Sequence, residues 1–122
     1  MPIEQFLQSL EYIGLTKCVS HSAYVKYFSY SDCDYVFITI WMNIRKCKIW
    51  SNLIILNGAI TTGVQDEHTY DIDSEGSVVI TKLKELVKQY KQLKIILKKD
   101  ELNKDFVWHL MNFLPNLMNN SS

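Results

Sequence analysis

The run Tyr35-Val36-Phe37-Ile38-Thr39-Ile40-Trp41-Met42 contains no charged residue and no turn former. β-Branched and aromatic side chains dominate it, and in an extended chain they alternate between two faces. A strand that is apolar on both faces belongs near the centre of a sheet, with helices covering at least one side. The segments around it carry the same signal. Residues 21–30 read as a strand, with Ala23-Tyr24-Val25-Lys26-Tyr27-Phe28 its β-branched and aromatic centre, and Ser31-Asp32-Cys33-Asp34 supplies the turn between the two, because Asp and Ser side chains bond to nearby backbone groups. Residues 49–56 read as one further strand that ends at Asn57-Gly58. Asn-Gly between apolar runs is the strongest short-range hairpin signal, since a type I′ turn needs two residues at positive φ.

Helical periodicity appears only at the two ends of the chain. Ile3, Phe6, Leu7, Leu10 and Ile13 recur at spacings of three and four, with Pro2 suited to the first turn and Gly14 to the position after the last. Residues 64–77 form an acidic, turn-rich connection with no Lys or Arg, interrupted by a short strand through His68-Thr69-Tyr70. A second helix is expected from about Ser77, with Val79, Ile80, Leu83, Leu86, Val87, Tyr90 and Leu93 on one stripe. Lys94 would point into that stripe, so this helix is expected to stop near Leu93, with a short strand over residues 93–97. A third helix is expected from Asp100 as its N-cap to Leu114, before Pro115, burying Leu102, Phe106, Leu110, Phe113 and Leu114.

The order helix, strands, helices predicts an α+β fold. Its expected form is an antiparallel sheet of four to five strands with one N-terminal and two C-terminal helices, mainly on one face. Its 122 residues suit one domain, expected over 1–118 with a frayed tail over 119–122. Thirteen basic residues balance thirteen acidic ones, so no overall field concentrates nucleic acid or anionic membrane. No secretory signal and no run long enough to span a bilayer is visible, which leads to the expectation of a cytoplasmic protein that does not engage membranes. Cys18, Cys33 and Cys47 match no metal or redox spacing and are expected to be free thiols.

Asp71, Asp73, Glu75, Gly76 and Val78 resemble the start of an EF-hand loop, but Lys82 stands where a bidentate Glu must close the cage. His21, His68 and His109 lack the paired short spacings of zinc sites; Glu67 and His68 with Asp71 would have to be assembled by folding. Asp32 and Asp34 flank Cys33 and would raise its pKa, the opposite of activation. No nucleophile elbow, HExxH helix or phosphate-binding loop occurs. The expectation is a non-enzyme without metal or cofactor.

Two surfaces remain. Asp66, Glu67, Asp71, Asp73 and Glu75 gather acid in one stretch, and Trp108 projects away from the main stripe of its helix, so these six are the candidate partner-binding residues. Lys84, Lys88 and Lys91 share one helix flank and are the candidate nucleic-acid contacts, although a single arginine, Arg45, leaves little for base recognition. The size, neutral charge and motif-poor character resemble those of small α+β inhibitors: toxin-immunity proteins, antitoxins and phage-encoded inhibitors. That resemblance implies direct binding to another protein, such as a toxin or nuclease with a basic surface. The alternatives are a small nucleic-acid-associated regulator using the lysine flank and a homodimer.

Overall fold

A computed structural model describes the backbone of residues 1–31 and 35–120, and side chains through residue 103. The first helix, α1 (Ile3–Tyr12), follows Pro2, whose fixed φ suits a helix start, and buries Phe6 and Leu10 completely. Gly14 ends it at φ +96°, with its N–H donated to the Glu11 carbonyl at 3.0 Å. A side chain at that φ would be strained, and a Cβ would also press on the Tyr30 ring.

Strands β1 (Leu15–Lys17), β2 (Val25–Tyr30), β3 (Ile38–Trp41) and β4 (Lys46–Ile49) follow, then β5 (Leu53–Leu56), β6 (Ala59–Thr62) and β7 (Tyr70–Asp71). The main sheet is antiparallel with order β1-β2-β3-β4-β7, so the apolar run does supply the central strand. Registers Phe28↔Ile38, Ile38↔Ile49, Ile40↔Cys47 and Cys47↔Tyr70 line up buried side chains on its inner face. Thr39 and Trp41 alternate with them and are only half-buried.

The single strand expected over 49–56 is two. β4 ends at Ile49, Trp50 makes an isolated bridge to Gln65, and β5 leaves to pair with β6 in a separate two-stranded sheet. Asn57 and Gly58 turn that hairpin at φ +53° and +78°, the two positive values the turn demands. Gln89 ties the hairpin to the helix behind it, its side-chain oxygen accepting the Leu53 N–H at 3.1 Å.

The C-terminal half departs most from expectation. Two helices were expected, starting near Ser77 and Asp100; there is one, α2 (Ile72–Asn120), and residues 93–97 are helical rather than a strand. It starts earlier because Ile72 is fully buried and Asp71 serves as its cap. It runs on past Leu93 because Lys94 is exposed and carries no burial cost there. Among the described residues Leu93 is the last of its side chains packed against the core, and Lys94 lies at the rim of a cleft beside Tyr30 and Tyr90. Leu102, expected to be buried, is 63% exposed. The remaining residues expected in the third helix's buried face, Phe106 onward, lie outside the described side chains. Between Ile72 and Leu93 the expected stripe holds: Val79, Ile80, Leu83, Leu86, Val87 and Tyr90 are all buried against α1 and the sheet. Among the described residues no helix is long and apolar enough to cross a membrane.

Candidate partner-binding surface

The acidic stretch enters the structure at β7 and the first turn of α2, so its carboxylates ring the positive end of a helix dipole. Asp71 precedes the helix, and its Oδ1 accepts the Asp73 N–H at 3.0 Å. Glu75 reaches back to accept the Asp71 N–H at 3.2 Å. The pair forms a reciprocal cap of the capping-box kind, one residue longer than usual. Asp73 points outward to Arg45, 3.5 Å away, and the Arg45 carbonyl accepts the Ile72 N–H at 2.9 Å. The β3–β4 turn and the helix start are thereby joined twice at one place.

On the other side of β7, residues 66, 68 and 70 converge. The Tyr70 hydroxyl donates to Asp66 Oδ2 at 2.5 Å, while Asp66 Oδ1 accepts the His68 N–H at 3.0 Å. Lys82, nearly three helical turns along α2, places its ammonium 3.8 Å from the same Oδ2 and 5.7 Å from the Tyr70 ring centroid. The His68 ring stands edge-on to Tyr70, with centroids 4.5 Å apart, and its Nε2 lies 3.0 Å from Glu75 Oε2. The hydrogen bond from Tyr70 is the main reason the Asp66 carboxyl titrates below the usual carboxylate range, helped by the His68 backbone and Lys82 and opposed by partial burial. Burial, then Asp66, push the Tyr70 phenol up. The adjoining Tyr70 hydroxyl holds the Lys82 ammonium above its usual range. Beside Asp66 and Lys82 a cleft of about 170 Å³ opens against Trp50.

Folding therefore brings together Asp66, Asp71, Asp73 and Glu75, and supplies partners to each. Glu67 is exposed on the connection into β7. Trp108 lies outside the described side chains. Sequence reading missed Tyr70, His68 and Arg45 as members of this surface. The alternation of Asp66, His68 and Tyr70 at every second residue was the available signal, because it puts three polar tips on one side of an extended segment. Lys82, read only as an obstacle to calcium, is the cation that Asp66 faces. His68 finds Glu75 rather than Glu67, and among the described residues no group of three His, Cys, Asp or Glu side chains is arranged to hold a metal ion.

Lys84, Lys88 and Lys91 are all exposed along the outer flank of α2. The flank continues past Tyr90 into a cleft of about 340 Å³ walled by Tyr30, Lys91, Ile95 and Lys98. No known protein family matches the chain, and no curated protein or solved structure shows significant similarity to it.

Proposed function

We propose that the chain is a non-enzymatic, protein-binding inhibitor of the immunity or antitoxin kind, which neutralises a partner by covering a basic surface. The supporting observation is the acidic end of the sheet. Carboxylates there outnumber cations and are held in place by backbone N–H groups, Tyr70, His68 and Arg45. Side chains already fixed lose little freedom on binding, so charge placed this way favours fast and selective association. Asp73 and Glu67 are the outward members, whereas Asp71 is occupied with the helix start.

The test is capture from native-host lysate after nuclease treatment, with the wild-type chain beside an E67K/D73K variant. The expected result is one stoichiometric protein held by the wild type and lost by the variant, whose own activity falls when the purified chain is added. Retention that ignores the charge reversal, or capture that leaves the captured protein's activity intact, would sink this reading.

The second reading, a small nucleic-acid-associated regulator, rests on the outward, aligned exposure of Lys84, Lys88 and Lys91. It requires affinity for a labelled oligonucleotide that falls steeply with salt. Absence of binding at low ionic strength removes it.

A further inference from the structure

Past Leu93 the helix α2 leaves the core, and the flank it then presents has an order of its own. Ile95 is 56% exposed and Leu102 is 63% exposed. They are seven residues apart and so lie on one face of the helix. Beside them Lys98 and Glu101, three residues apart, are both exposed and carry opposite charges. Such a pair is self-complementary under reversal: a twofold axis between the two residues sets Lys98 of one copy over Glu101 of another. A parallel copy would stack like charges. The same axis brings Ile95 of each copy toward Leu102 of the other.

We infer that this flank of α2 joins two copies of the chain as an antiparallel helix pair, with Ile95 against Leu102 and Lys98 against Glu101 of the other copy. The inference is independent of the inhibitor reading, which concerns the opposite end of the described helix. Three features favour a second copy over a phosphate backbone. Exposed apolar side chains sit beside the charged pair, Glu101 would repel phosphate, and zero net charge removes long-range repulsion between copies.

Charge swapping on the full chain tests this, read by sedimentation equilibrium. The wild type is expected at twice the chain mass at micromolar concentration. K98E sets glutamate against Glu101, and E101K sets lysine against Lys98; each should weaken self-association by about tenfold. The two variants are complementary to each other, so an equimolar mixture should recover the dimer, as should the K98E/E101K double swap. I95S, which leaves every charge in place, should weaken association as well, with circular dichroism confirming that each variant is folded. A wild type that stays at single-chain mass overturns the inference, and so do single variants that associate as the wild type does. A mixture no more associated than its parts also overturns it, because an ion pair within one helix would give that result. Oligonucleotide binding by a monomeric wild type would assign the flank to nucleic acid instead.

Discussion

Cys47 and Tyr70 show how one register pair couples core to surface. Cys47 is fully buried at the centre of the inner sheet face, and Tyr70 lies opposite it on β7 with only its hydroxyl reaching the acidic surface. Burial first, and the Glu75 charge second, push the Cys47 thiol up to about 12. At neutral pH it is a protonated, unreactive thiol. The folded state therefore holds a proton that the unfolded state releases above its ordinary value of 9.0. This contribution to stability is complete below that value and is lost as pH rises toward 12. Mass-spectrometric mapping after iodoacetamide treatment of the native protein should find Cys18 alkylated well before Cys47. Equal rates would mean that β4 opens far more readily than its burial implies. Asp66 has the opposite sign, because its carboxyl is depressed by the Tyr70 hydroxyl. Its stabilisation is present above the ordinary value of 3.8 and is lost as pH falls through the lower folded value. Y70F keeps the buried ring and removes the donor, at a cost of about 1 kcal/mol near neutrality. In urea titrations the gap between wild type and Y70F should narrow on acidification below pH 4, as Asp66 in the wild type protonates; a gap that widens would contradict the assignment.

At the scale of elements, the start of α2 does two tasks, terminating β7 and presenting the carboxylates. Asp71 is the pivot, and D71A should destabilise the fold by about 1 kcal/mol, with D71N or D71S recovering most of the loss. Equilibrium denaturation measures this directly; a silent D71A would mean that Glu75 and the dipole suffice. The same element shows where the sequence was legible. α1, the central strand and the Asn57-Gly58 turn were readable because each is specified by neighbours: a three-four period, an unbroken β-branched run, two positive φ values. The start of α2 was missed by five residues, although Ile72 stands seven before Val79 on the same stripe. The acidic composition around Ile72 looked like a loop, and only tertiary burial reveals it as the first core position. The break expected at Lys94 assumed that the apolar stripe needs a covered surface along its whole length. Lys94 is exposed where it meets the stripe, so a lysine there carries no burial cost and the helix continues. The site was legible as a set of acids and illegible as a network, since the partners of Asp66, Asp73 and Glu75 come from the middle of α2 (Lys82), the β3–β4 turn (Arg45) and the connection into β7 (His68).

For the whole molecule, α2 divides into two mechanical regimes. From Ile72 to Leu93 its hydrogen bonds are backed by the buried stripe, the β5–β6 hairpin and α1, so opening them means exposing the core. In residues 94–103 most side chains are exposed, and only Leu97 is half-buried. Helical hydrogen bonds without packing are marginal in water, because each nucleus is costly and little else holds the turn. Native-state hydrogen exchange should resolve the two regimes along one continuous helix. Amides of residues 79–90 should exchange only with global unfolding, and those of 94–103 many-fold faster at high dilution. Self-association through Ile95, Lys98, Glu101 and Leu102 makes the second rate depend on protein concentration, since a helix paired with its copy gains the packing that the sheet does not give it. Protection of 94–103 should therefore rise with concentration in the wild type and stay low in K98E, while that of 79–90 is unchanged in both. Uniform protection from 79 to 103 in dilute wild type would show that the helix is stabilised along its whole described length within a single chain, and the division at Leu93 would fall with it.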